Sequence, residues 1–315
     1  MKKILYIIGM ATCLVAFKGS SWKVTEMGSH HEAVYVVASG KNGQWLASGS
    51  NDNTVKIYNS FKKELVKELT CHSVGVAAIA FTSDGKTMIT GGKDKLIRFW
   101  DTETWKRIGE IDEHTGQVND LVVSSDDKYV YSCADDYKIM KWKIEDFSKA
   151  KEVGSHNSRV LSLCLSEDNK YLISTSGDKV SKSTGNLKVW NLASETLKFE
   201  LLSEEYAVQD AVFDKSANLV FYAGNFSSIK VIKPSTGTQV MEKEVTKYGI
   251  NTLAIDGFTV YAGSTFNGEI TVWPIAGGDL VQFKAHEKDI NSLVFHKGNI
   301  YSGGTKGALK YSIKP

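Results

Sequence analysis

Residues 72–101 read HSVGVAAIAFTSDGKTMITGGKDKLIRFWD, and the order of apolar and polar residues in this stretch decides the fold. VAAIAF is a strand. TSDGK is a turn, in which Asp84-Gly85 tolerates unusual backbone angles. TMITGG is a second strand, a short loop holds Asp94, and LIRFW is a third. A fourth strand follows Asp101-Thr102-Glu103-Thr104. Short strands separated by turns about every ten residues predict an all-β chain. No segment carries a long 3.6-residue apolar period, so helices should be few.

The stretch recurs along the chain. Corresponding strands end at Tyr58, Trp100, Trp142, Trp190, Ile232, Trp273 and Tyr311, at intervals of 42, 42, 48, 42, 41 and 38. His30, His72 and His114 each precede their aromatic residue by 28 positions. His156 precedes Trp190 by 34, because Lys179 to Thr184 is an insertion of six. A period of 40–45 residues holding four strands is that of a propeller blade. With Trp100-Asp101, Trp190-Asn191 and Tyr58-Asn59 closing their repeats, the chain resembles the WD-repeat β-propellers over residues 22–315.

The resemblance implies a seven-bladed β-propeller of four-stranded antiparallel blades. The last repeat ends at ALKYSIKP, its third strand. WKVTEMG before His30 corresponds to LVKELT before His72, so Trp22 to Met27 should complete the last blade and close the ring. It also implies structural tetrads, each running from indole to hydroxyl to imidazole to carboxylate. These would be His30, Ser48, Asp52 and Tyr58; His72, Thr90, Asp94 and Trp100; His114, Ser132, Asp136 and Trp142; and His156, Ser174, Asp178 and Trp190. A His, Ser and Asp set invites a catalytic-triad reading, but four copies argue against one activated nucleophile. In the last three blades the pattern fades. Phe226, Asn267 and Thr305 stand at the turn position, and Glu204 and Thr246 replace the histidines, whereas His286 remains. Either drift or reshaping for a partner accounts for this.

In such propellers the face around the channel mouth is the usual protein-binding face. Carried over by position, it holds Tyr35, Asn51, Lys93, Gln117, Asn119, Asp135, Arg159, Leu161, Gln209, Phe226, Asn251, Phe266, Asp289 and Asn291, with Ala33 and Asn225 beside them. The inserted loop KVSKSTG (179–185) belongs to the same face by this register and bears two lysines. Amides suit a peptide backbone, and Tyr, Phe and Arg anchor interfaces.

Other chemistry finds little support. The chain has 315 residues and a net charge of +2, with 38 basic and 36 acidic residues well mixed, so no nucleic-acid partner is expected. Four cysteines without a CxxC pair exclude a disulfide scaffold or a cysteine-type zinc site. His30-His31 gains no further ligand, and phosphate-loop, HExxH and GxSxG motifs are absent. The expectation is a non-catalytic interaction platform with no cofactor or metal. The alternatives are an exported propeller enzyme (lyase, lactonase or quinone-dependent) and a cytosolic scaffold subunit.

Residues 1–21 form a separate unit from the propeller domain of 22–315. Met1-Lys2-Lys3, a charge-free run from Ile4 to Phe17, and Lys18-Gly19-Ser20-Ser21 have the three parts of a secretory signal, with Trp22 as the mature start. The run is shorter than a membrane-spanning helix requires. An exported chain, periplasmic or secreted, is therefore expected, with an N-terminal anchor as the alternative. Removing Lys2, Lys3 and Lys18 turns the net charge from +2 to −1. Cys71, Cys133 and Cys164 would remain. Cys133 and Cys164 sit in apolar strands and read as small buried hydrophobes.

Overall fold

The computed structural model describes residues 22–40, 43–178, 185–203, 206–214 and 216–313. The proposed signal segment, the inserted residues 179–184 and Glu204 lie outside them. The described chain forms seven antiparallel sheets of four strands each, with no helix among the described residues. In blade two, strand a is Val76–Phe81, b is Thr87–Gly92, c is Ile97–Asp101 and d is Arg107–Ile111. The other blades repeat this order from the axis outward.

Blade seven is closed by the first and last strands of the described residues. Lys23–Ser29 pairs antiparallel with Ala308–Ile313, from Lys23 opposite Ile313 to Ser29 opposite Ala308. Both edges of the ring are thereby consumed, which removes the free end at which a propeller would fray. Trp22 stacks on Phe283, with centroids 4.7 Å apart, and meets Tyr261 edge-on, tying the entry to strand Lys23–Ser29 to blade six.

The core lies between blades. Each strand a begins with a buried β-branched residue: Val34, Val76, Val118, Val160, Val208, Ile250 or Ile290. Strand b of the preceding blade makes room for several of them. A Cβ added at Gly91 would stand 2.6 Å from Val118, and one added at Gly303 would stand 2.4 Å from Val34. These glycines thus set how closely the sheets approach.

Strand a also carries the feature that builds the site. In every blade its register with strand b slips after the first residue, as between Val118 and Asp120. Such a bulge places two residues opposite one, and alternation across the sheet is lost there. Consecutive side chains such as Asn119 and Asp120, or Gln209 and Asp210, both face the channel.

Two positions differ from the spacing of the repeats. Strand pairing puts Ser312, not Tyr311, where blade two has Trp100, since Ile300 faces Ser312 as Met88 faces Trp100. Likewise Leu309 faces Gly303, so Lys306 rather than Thr305 occupies the turn position of Asp94. A slip of one residue in a strand reverses the face on which every side chain lies. Ser312 Oγ is buried without a hydrogen-bond partner among the described residues, so blade seven has no indole at its core.

Candidate functional site: the funnel face

The recurring polar sets lie inside the blades. In blade two the Trp100 indole donates to Thr90 Oγ1 at 3.0 Å. Thr90 meets His72 Nε2 at 2.9 Å, and His72 Nδ1 meets Asp94 at 2.7 Å. In blade three the corresponding distances are 2.7 Å from Trp142 to Ser132, 2.7 Å from Ser132 to His114 and 2.8 Å from His114 to Asp136. Blade one runs from Tyr58 to Ser48, from Ser48 to His30 at 2.8 Å, and from His30 to Asp52 at 3.1 Å. There the phenol takes the place of an indole, and Gly28 leaves room for its hydroxyl, 2.3 Å from where a Cβ would stand. Burial pushes that phenol up to about 12.

Blade four keeps Trp190, Ser174 and His156, at 2.8 and 2.7 Å. The imidazole–carboxylate bond is not made there, and His156 Nδ1 has no partner among the described residues. Asp178 borders residues 179–184, outside the described chain. In blade seven only His286 and Ser302 meet, at 2.8 Å. The imidazoles of His30, His72, His114, His156 and His286 are all buried, which leaves no exposed base on the funnel face from these sets.

Burial alone would raise the Asp94 carboxyl. Bonds from His72, the Ser73 backbone and Arg98 instead hold it well below the ordinary carboxylate range. Asp94→Ala orphans several donors at once and should lower stability by about 2 kcal/mol. Urea unfolding measures the loss, and an unchanged midpoint would show that the set bears no load. Partner binding by the folded variant should be unchanged.

The funnel opens where strands a begin and where b turns into c, and it encloses about 840 Å³. Of the fourteen residues carried over by position, all but Asn51 and Phe226 line it. Asn51 instead accepts from Lys93 Nζ at 2.9 Å on the rim. Phe226 packs against the core shared by blades four and five, in place of a turn carboxylate. Lys93 also lies 3.9 Å over the Tyr35 ring. Asp135 gathers Gln117 and Asn119, both at 2.8 Å, and Arg159 at 3.6 Å.

Several amides also hold the ring together. Asn119 Nδ2 donates to Val160 O at 2.8 Å, Asn251 Nδ2 to Ile290 O at 3.2 Å and Asn291 Nδ2 to Val34 O at 2.8 Å. Each bond reaches the first residue of the next blade.

A deeper tier escaped the repeat alignment. Asp120, Ser162, Asp210, Thr252 and Ser292 face the channel one position beyond those residues. Asp120 accepts from Leu163 N, and Asp210 from Leu253 N, both at 2.8 Å. Thr252 accepts from Leu293 N at 3.2 Å, and Ser292 from Val37 N at 3.0 Å. The signal was present in VND, VQD, INT and INS, where adjacent polar residues interrupt an apolar strand.

Phe266 is the exposed anchor of the rim, with 76% of its surface in solvent. Seven positions separate Gly263 from its partner Ile270, against six between Gly91 and Ile97, so the turn of blade six has an extra residue. Asn267 takes the role of Asp94, accepting from the backbone two residues on at 3.1 Å as Asp94 does at 3.3 Å. Phe266 is thereby pushed outward at φ 69°, a conformation costly for a non-glycine residue. Its backbone N–H is held by Asp289.

The profile of the WD domain, G-beta repeat family matches residues 21–59, 63–101, 105–143 and 148–191, more than half of the chain. The chain belongs to the WD-repeat family. Proteins of this family are commonly interaction scaffolds. No curated protein matches the chain. The matched repeats hold strands a to c of blades one to four, those in which an imidazole is bonded to a hydroxyl that also meets an aromatic partner. The unmatched half is where Phe226, the extra residue beside Phe266, and Ser312 depart from the WD repeat. Among the described residues no three His, Cys, Asp or Glu side chains gather as a metal site.

Proposed function

We propose that the protein is a non-catalytic platform that binds a peptide or subunit of another protein across the funnel face. The observation that carries this reading is Phe266, a large apolar side chain held in solvent by a left-handed backbone on the rim of an amide-lined funnel. Tyr137 shares the left-handed backbone at 46% exposure, but Phe266, at 76%, leaves most of a wholly apolar ring in water on the funnel rim, where a partner can bury it. Arg159, half exposed across the funnel, supplies a second anchor. Capture of native partners by purified propeller should fall at least tenfold for Phe266→Ala and for Arg159→Ala, with unfolding midpoints unchanged. Both variants keeping every partner at full strength would refute the site.

We propose further that the platform works outside the cytosol, after loss of residues 1–21. The three described thiols suit an oxidising compartment because they are shielded. Burial pushes Cys71 up to about 12 and raises Cys133 and Cys164 well above the ordinary thiol value, so none offers a reactive thiolate. Sequencing of the native protein should begin at or near Trp22, and an intact Met1 overturns this reading.

A further inference from the structure

The floor of the funnel differs chemically from its rim. Asp120 and Asp210 stand on either side of Ser162, whose hydroxyl donates to Asp210 Oδ1 at 2.7 Å and is also in hydrogen-bond contact with Asp120. Each carboxylate accepts two backbone N–H bonds, at 2.8 Å: Asp120 from Leu121 and Leu163, and Asp210 from Ala211 and Leu253. Those bonds fix both carboxylates in place, and neither has a cation beside it among the described residues. The rim cations are already engaged, Arg159 with Asp135 and Lys93 with Asn51 and the Tyr35 ring.

We propose that the funnel receives a segment of a partner protein bearing a basic side chain, whose cation seats over Ser162 between Asp120 and Asp210 while an apolar neighbour packs on Phe266. This deepens the platform reading and rests on it. Charge complementarity selects the occupant. Two fixed carboxylates in a confined space repel each other, and one guanidinium or ammonium between them relieves that repulsion. Other features of the cavity fit a peptide. The amides of Gln117, Asn225 and Asn251 line it, groups that suit a peptide backbone, and it encloses about 840 Å³. A free metal ion is disfavoured, since the other groups on the floor are the hydroxyls of Thr252 and Ser292, already accepting backbone N–H bonds.

Burial and the neighbouring Asp210 push the Asp120 carboxyl up to about 7, and burial raises that of Asp210 as well. The thiols of Cys133 and Cys164 lie within the field of the pair, and Asp135, Asp289, Lys93 and Arg159 line the same funnel. A cation on the floor pulls both carboxyls down, so its binding near pH 7 should release protons.

The probe is the acetylated, amidated pentapeptide Gly-Phe-Arg-Ala-Gly, set against the same peptide with citrulline, which keeps the shape and loses the charge. Calorimetry on the full propeller should show the arginine peptide binding at least tenfold tighter. Titrations in two buffers of different ionisation enthalpy should show proton release at pH 7, which a guanidinium resting on solvated parts of the rim would not cause. Asp210→Asn should bring the two peptides to within about twofold. Should that variant fail to fold, the citrulline contrast and the proton release in the wild-type protein still decide. Equal affinities, binding without proton release, or no binding of the arginine peptide overturns the seat. The platform reading stands or falls separately on partner capture by Phe266→Ala, which leaves the floor untouched.

Discussion

Trp142→Ala should lower the stability of the whole ring by about 4 kcal/mol, the largest effect expected of any single truncation in blades one to four. The indole is fully buried and belongs to the core between blades two and three, beside Ile89, Phe99, Leu121 and Met140. Removing it opens a cavity in a close-packed wall and also strips Ser132 of the donor it meets at 2.7 Å. Ser132 would still bond His114, so the polar penalty is partial and the cavity dominates. Trp142→Phe separates the two. It restores most of the volume but not the N–H, and should cost about 1–2 kcal/mol. Urea unfolding followed by circular dichroism measures both. Since the last strand of the ring is supplied by its first residues, unfolding should remain one transition, with Trp142→Ala shifting its midpoint rather than splitting it. A loss below 1 kcal/mol would mean that this core is loosely packed.

The features legible in the sequence are those that repeat. The short strands, the Asp-Gly and related turns, and the histidine 28 positions before its aromatic residue in blades one to three recur because these blades solve one packing problem in one way. Closure was readable for the same reason: blade seven lacked a strand, and Trp22 to Met27, before His30, was one to spare; the strand formed is Lys23–Ser29. What was not legible depends on single-residue offsets. Spacing alone placed Tyr311 and Thr305 one position early in blade seven, because loop lengths vary and only strand pairing fixes which residue faces inward. The bulge in strand a is invisible to a period-two reading, which assigns Asn119 and Asp120 to opposite faces although both face the channel. For that reason the rim residues could be named in advance and the floor could not. The amide ties from Asn119, Asn251 and Asn291 to the next blade were hidden as well. Their type suggests recognition, and only their distances show that they also hold the ring.

The pH dependence of stability should reveal the floor of the funnel even without a ligand. Burial drives His156 down to about 3 and His286 down to about 4, each helped by a facing lysine, Lys188 and Lys310 respectively. Asp120 moves the other way, to about 7, under burial and the charge of Asp210. Consider these groups at pH 5. The unfolded chain carries about one proton on each imidazole and almost none on Asp120, whereas the folded ring carries almost none on the imidazoles and about one on Asp120. The unfolded state thus binds about one proton more, and stability falls by about 1.4 kcal/mol per unit of acidification. The histidine contribution is complete above pH 6.5 and is lost as the pH falls towards their folded values. The Asp120 contribution has the opposite sign, growing as the pH falls through 7 and complete near 4. Asp210, raised, opposes His30 and His296, both lowered by burial, and these three partly offset one another. Asp120→Asn removes the compensating proton, so between pH 6 and 5 its stability should fall about twice as steeply, by about 2.7 kcal/mol per unit. Urea unfolding at pH 5, 6, 7 and 8 tests this, and only the change of the wild-type-to-variant gap with pH matters, whatever the fixed cost of the substitution. A gap that widens on acidification by roughly 3 kcal/mol from pH 8 to 5 places a titrating carboxyl on the channel floor. Parallel curves would show that Asp120 stays charged throughout, held by its two backbone N–H bonds and Ser162 strongly enough to outweigh both its burial and the repulsion of Asp210.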